Sequence, residues 1–123
     1  LLALRETLVA AGHDIRGLAH ITGGGLPGNA HRALPSHLGA RLDPTRWSTP
    51  SVMRLMAALG GLDDEELRGT FNGGLGMIVI VSPGAADATI DNLTADGITA
   101  AVVGEVVTAD SLGGARYTEG ALR

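Results

Sequence analysis

The sequence predicts an α/β (α+β) domain in which helices pack on a mixed sheet, and three observations carry that prediction. Short runs of apolar and β-branched residues alternate along the chain with segments of helical period, the order expected of that class. Glycine or proline stands at nearly every junction between them. No internal repeat or low-complexity linker interrupts the alternation.

The chain has 123 residues, enough for one domain but not two. A chain of this size buries about two-thirds of its unfolded surface. With 45% hydrophobic but only 2% aromatic residues, the core must be aliphatic. The net charge of −4, without a Lys/Arg run, gives no electrostatic footprint for nucleic acid. Cysteine is absent, which removes disulfides and thiolate chemistry. Leu1 to Ala11 carries Arg5 and Glu6 and is too short to span a bilayer, so neither a signal peptide nor a membrane segment is read there and a cytoplasmic location is expected. The start at Leu1, without Met and inside a helix-like run, is what a fragment or an expression product would show.

Taken in order, Leu1, Leu4 and Leu8 have helical spacing and Gly12 stops the first helix. His13, Asp14 and Arg16 read as a polar connection. Leu18 to Thr22 reads as a buried strand, because apolar and β-branched side chains dominate it. Gly23, Gly24 and Gly25 end that strand, and Pro27 suits the first turn of a short helix over 26–34. Ala40 to Asp43 is at most a short strand. Thr49 as N-cap and Pro50 at the first helical position open a helix whose Val52, Leu55, Met56 and Leu59 would face the core. Asp63 and Glu66 have capping-box spacing, with Leu62 and Leu67 as a hydrophobic staple. The acidic run 63–66 is therefore read as a helix start, and no metal site is assigned to it. Met77 to Val81 should be a central strand covered on both faces. Ser82 and Pro83 start a helix that buries Ala86, Ile90 and Leu93, and Gly97 stops it. Ile98 to Val107 supplies the last strand, bulged at Gly104. The domain is expected to span 1–108, with 109–123 a flexible tail.

Two stretches offer chemistry. Strand, glycines and helix start over 18–34 form the arrangement that receives anions on backbone N–H groups, although a plain tight turn fits the same residues. Phe71 to Gly76 places three glycines and Asn72 before the strand at Met77, which suits either a close approach to ligand or a packing corner. His20 lies near the carboxyl end of its strand, where open α/β sheets place ligands; a buried histidine satisfied by backbone is the other reading. His31 and His37 lack the spacing of a helical metal pair.

These stretches also carry a resemblance. Gly17-Leu-Ala-His-Ile-Thr-Gly-Gly-Gly-Leu-Pro27, with Asn29 and Arg32-Ala-Leu-Pro35 after it, resembles the signature of the phosphoribosylformylglycinamidine cyclo-ligase, or aminoimidazole ribonucleotide synthetase, family. Trp47 to Pro50 and Thr70-Phe-Asn-Gly-Gly-Leu-Gly-Met77 are similar to the same family's later blocks, in the same order. Gly28, His31 and Gly73 depart from it, standing where Glu, Pro and Met are usual. The resemblance covers only the carboxy-terminal half of the family's protein. It implies an α/β sandwich leaning on an amino-terminal domain that holds ATP and magnesium, and an ATP-driven closure of formylglycinamidine ribonucleotide to aminoimidazole ribonucleotide. It further implies that Thr22, Gly23, Gly24, Gly25 and Asn29, with Gly74 and Gly76, contact the ribonucleotide or its phosphate, and that His20 and Asn72 take part in catalysis. This chain alone would then be inactive and, with the surface for its amino-terminal partner uncovered, would self-associate. A phosphate-binding module without turnover is the alternative, as is the matching half of selenophosphate synthetase, thiamine monophosphate kinase or a hydrogenase maturation protein.

Overall fold

The computed structural model describes residues 1–122. In chain order it contains helix α1 (Leu2–Ala10), strand β1 (Ile15–His20), helix α2 (Gly25–Asn29) running into a 3-10 turn (Ala30–Ala33), and strand β2 (Leu38–Leu42). After a 3-10 turn (Pro44–Arg46) come helices α3 (Ser51–Gly60) and α4 (Asp64–Thr70), then strand β3 (Met77–Val81). A 3-10 turn (Pro83–Ala85), helix α5 (Ala86–Ala95), strand β4 (Gly104–Thr108), a 3-10 turn (Ala109–Leu112) and strand β5 (Tyr117–Glu119) complete it. The class is α+β. Strands β1 and β3 pair in one sheet, and the second sheet has the order β4-β2-β5, with β2 antiparallel to β4 and parallel to β5.

Two compact units are present. The first comprises residues 1–18 and 79–102. Its core is Leu4 and Leu8 of α1 against Ala85 and Leu93, with Ile15, Val79, Val81, Ala88 and Ala100 around them. Helix α5 buries Thr89 and, as expected, Leu93, and Ala85 of the preceding 3-10 turn is buried with them, while Ala86 and Ile90, expected inside, are only half-buried. Buried Thr89 is satisfied by donating its hydroxyl to the Ala85 carbonyl at 2.7 Å.

The second unit comprises residues 19–78 and 103–122 among those described. Ala19, Ile21, Leu26, Ala30, Ala40 and Leu42 form its core, with Trp47, Leu75, Ile78 and Tyr117 at the margin. Strand β2, expected as a minor element, is the middle of its sheet and is buried from Gly39 to Leu42. Buried Arg41 stands opposite Glu105 in the antiparallel register and pairs with it at 3.0 Å.

Several sequence expectations are corrected. Strand β1 begins at Ile15 and alternates: Ala19 is buried while Arg16, Leu18 and His20 are exposed, so it is an amphipathic strand rather than a buried run. Strand β3 has the predicted bounds but lies in a two-stranded sheet, with Met77 exposed and the rest half-buried. The last long strand starts at Gly104 instead of bulging there. A Cβ at Gly104 would sit 2.6 Å from the Arg41 carbonyl oxygen, so the glycine allows close packing on β2. Helix α3 forms one residue later than predicted, with Pro50 rather than Thr49 at the N-cap position and no side-chain cap, and its stripe does not face the core: Val52, Leu55, Met56 and Leu59 are 47–81% exposed and only Ala57 is buried. Periodicity identifies an apolar face without saying what covers it.

The segment read as a tail holds β5. It lies beside β2 with Ala40, Arg41 and Leu42 opposite Tyr117, Thr118 and Glu119. Arg116 anchors it, its guanidinium donating to the carbonyls of His31, Leu34 and Pro35 at 2.6–3.1 Å. These carbonyls lie where the 3-10 turn after α2 ends, a position that suits a cation; those of His31 and Pro35 also accept the Leu34 and Leu38 N–H groups. Strand pairing and a single arginine thus order a segment that has no apolar period.

Candidate functional site

The site is built where β1 ends. Ile21 is buried and its N–H donates to the Gly76 carbonyl at 3.0 Å, so the end of the first signature stretch is fastened to the end of the second. Thr22 and His20, on either side of it, are exposed. His20 is therefore not the buried, backbone-satisfied histidine that was one of its two readings.

Gly23, Gly24 and Gly25 carry the chain into α2, and the three differ in kind. Gly25 is buried; a Cβ there would lie 1.7 Å from the Arg68 carbonyl oxygen and 2.7 Å from that of Phe71. It is a packing glycine that seats the loop on the end of α4. Its N–H is used as well, donating to the Thr22 carbonyl at 3.0 Å. Gly24 has a left-handed backbone (φ +89°) with nothing nearer than 3.7 Å to a would-be Cβ, and Gly23 has open space. The amides of Gly23 and Gly24 donate to no acceptor among the described residues. Two adjacent donors on exposed, side-chain-free backbone offer N–H groups that an oxyanion can approach closely.

Asn29 is what holds this shape. It is buried, and its amide nitrogen donates to the carbonyls of Gly25 at 2.8 Å and Gly23 at 3.1 Å, with a longer contact of 3.5 Å to Thr22. With its NH2 group turned onto the loop's own carbonyls, Asn29 supports the loop. His31, just beyond, bonds through Nδ1 to the Pro27 carbonyl at 3.0 Å, which requires the proton on Nδ1.

The second glycine stretch is more closed. Asn72 accepts the Gly74 N–H on its side-chain oxygen at 2.9 Å, an Asx-turn, and its carbonyl accepts the Leu75 N–H at 3.1 Å. Gly74 packs tightly, a Cβ there falling 2.7 Å from Pro50 Cδ and 2.9 Å from the Ser48 carbonyl oxygen. Gly76 is open toward solvent and offers its carbonyl to Ile21. The structure thus brings His20, Thr22, the first glycines and Gly76 to one end of β1. The Asn29 amide nitrogen and the Asn72 side-chain oxygen are turned onto their own loops, and Gly25 and Gly74 are closely packed.

The matching family is the one described as AIR synthase related protein, C-terminal domain, over residues 1–115. The chain belongs to that family. It is 46% identical over 106 residues to the phosphoribosylformylglycinamidine cyclo-ligase of Sorangium cellulosum, covering 86% of this chain and 30% of the relative. It is 44% identical over 100 residues to the protein of the same name from Magnetococcus marinus, covering 81% of this chain and 28% of that one. The chain therefore spans a little under a third of the length of these relatives. Their shared name favours the cyclo-ligase over the selenophosphate synthetase, thiamine monophosphate kinase and hydrogenase maturation alternatives.

Sequence reasoning missed the neighbourhood of Arg68. Its guanidinium lies over the Trp47 ring, 5.3 Å from the centroid, and pairs with Glu119 of β5. Glu119 also accepts the Tyr117 hydroxyl at 2.7 Å, and burial first, that hydrogen bond second, push the Tyr117 hydroxyl well above its usual pKa. Nothing local in the sequence links residues 47, 68 and 119; β5 pairing creates the cluster. Asp43 likewise caps the turn that follows it, and bonds from Thr45 and then Arg46 hold its carboxyl below the usual range.

Proposed function

We propose that this domain is the carboxy-terminal part of a phosphoribosylformylglycinamidine cyclo-ligase, and that its Gly23–Gly24 amides receive the 5′-phosphate of formylglycinamidine ribonucleotide. The observation that carries the proposal is the pair of unpartnered, exposed amides at Gly23 and Gly24, held from behind by Asn29, in a chain 46% identical to a protein of that name. Backbone donors fixed before the ligand arrives lose little entropy on binding and need no side chain to reorganise.

In the whole enzyme, bound ATP with magnesium would supply the phosphoryl group that makes the formyl oxygen a better leaving group for ring closure. Among the described residues no three His, Asp or Glu side chains gather in a way that would hold a metal. Both ATP and magnesium are proposed to be held by the amino-terminal domain that the family resemblance implies. This chain's part is positioning: Gly23 and Gly24 fix one end of the substrate, while Thr22 and His20 offer exposed polar groups beside it. Asn72 acts by shaping the second loop.

The α3 stripe supports the same reading. Four large apolar side chains on one exposed helix face suit a surface that another domain covers, and the relatives have most of their length outside the matched region. Alone, the chain is proposed to self-associate through such surfaces and to lack turnover. No described helix is long and apolar enough to cross a membrane, and a metabolic enzyme of this kind fits the cytoplasm.

The test is a chimera. The Sorangium cellulosum cyclo-ligase, with its matched 106-residue region replaced by this chain, is expected to close the ring in an ATP-dependent assay, and the same chimera with Gly24→Val is expected to bind substrate poorly. A chimera that folds yet shows neither activity nor substrate binding contradicts the proposal.

A further inference from the structure

We propose that Arg68 is the positioning residue of the first glycine loop: its backbone carbonyl seats Gly25 while its side chain is moored to Trp47 and Glu119, so that β5 governs where the Gly23 and Gly24 amides lie. The proposal rests on the reading that those amides receive phosphate. All of the residues involved lie in the second unit.

Contact at the loop is made by backbone alone. The carbonyls of Arg68 and Phe71, at the end of α4, bracket Gly25 so closely that a methyl group has no room, and any displacement of that helix end is passed to the loop. Helix α4 has only seven residues and is secured at its start by the Asp63–Glu66 capping box. Its far end is held by buried Leu67 and by the Arg68 side chain. That side chain reaches two other elements. It stacks on Trp47, beyond the 3-10 turn that follows β2, and it pairs with Glu119, which lies opposite Leu42 in the sheet. The Arg68 and Glu119 side chains are 19% and 27% exposed, so water screens the pair only in part. Tyr117 occupies the other carboxylate oxygen of Glu119, which leaves one oxygen directed to Arg68. Glu119 and Trp47 thereby act on the loop without touching it, through a planar guanidinium that can stack and pair at once.

Hydrogen exchange in the ligand-free chain, followed by NMR, tests this separately from binding. The Gly25 and Gly28 amides, bonded to the Thr22 and Gly24 carbonyls, report the loop. Glu119→Gln and Arg68→Gln are expected to speed their exchange about fivefold, the upper end for a partly exposed ion pair, without altering the β2–β4 amides. Arg68→Lys, which keeps the charge, is expected to fall nearer the wild type. Affinity for inorganic phosphate at Gly23 and Gly24 should drop in the same order. Unchanged exchange at Gly25 and Gly28, or an equal increase in the β2–β4 ladder, overturns the proposal. Should Arg68→Gln fail to fold, Glu119→Gln alone decides it. If the wild-type chain shows no phosphate response at all, the binding reading fails while the exchange comparison still decides the positioning role.

Discussion

The two glycine stretches look alike in composition and differ in what their amides do. After β1, Gly23 and Gly24 present two adjacent N–H groups with no acceptor among the described residues, and the loop's carbonyls are gathered instead onto Asn29. Before β3, the Gly74 and Leu75 amides are turned onto Asn72, and the loop is closed on itself. Each stretch also contains one glycine that close packing requires: Gly25 against the Arg68 and Phe71 carbonyls, Gly74 against Pro50 and the Ser48 carbonyl. A glycine in a signature can therefore be required by a neighbour's bulk, by a left-handed backbone, or by a ligand. Only the surroundings tell which.

That comparison is broken most severely at the packing glycines. Gly25→Ala is expected to destabilise the fold by about 3–5 kcal/mol, combining a backbone collision that cannot relax with a positive φ. Gly74→Ala, whose nearest obstacle is a proline ring, should cost about 2–4 kcal/mol. Urea unfolding measures both, and a cost below that of an ordinary surface substitution at either position contradicts the packing assignment.

The two asparagines sharpen the contrast. Asn29→Ala leaves the Gly23 and Gly25 carbonyls without their buried donor and is expected to cost about 2 kcal/mol, against about 0.5–1 kcal/mol for Asn72→Ala at its more exposed turn. Equal costs would mean that the first loop is not held from behind. Gly24→Ala falls between the two asparagines, since space is open and only the left-handed backbone resists: about 1–2 kcal/mol in a thermal melt.

Much of this fold is legible in the sequence where the signal is local. The Asp63–Glu66 capping box forms with both hydrogen bonds, at 2.8 and 3.0 Å, and β3 has the bounds its apolar run indicates. Legibility fails where the deciding partner is distant in the chain. Strand β5 has only three residues and exists because β2 and Arg116 receive it, so composition made it a tail. The α3 stripe has a clear period, yet a helix face carries no mark of which surface covers it. Around the proposed site, the glycines and Asn29 stand out by their pattern, but the division into open and closely packed positions does not. That division depends on carbonyls of residues 68 and 71, some forty positions downstream. Arg68 itself carried no signal, since Trp47 and Glu119 stand far from it in sequence.

The most direct test of the central claim is to titrate a phosphate ester such as ribose 5-phosphate into the isotopically labelled chain while following its backbone amides. Saturable shifts at millimolar ligand are predicted, largest at Gly23 and Gly24 and smaller at Gly25, whose N–H is already bonded to Thr22, and Gly24→Val should abolish them while the remaining amides keep their positions. No perturbation at Gly23 and Gly24, or a perturbation centred on 72–76, would contradict the assignment of the first loop as the phosphate receptor.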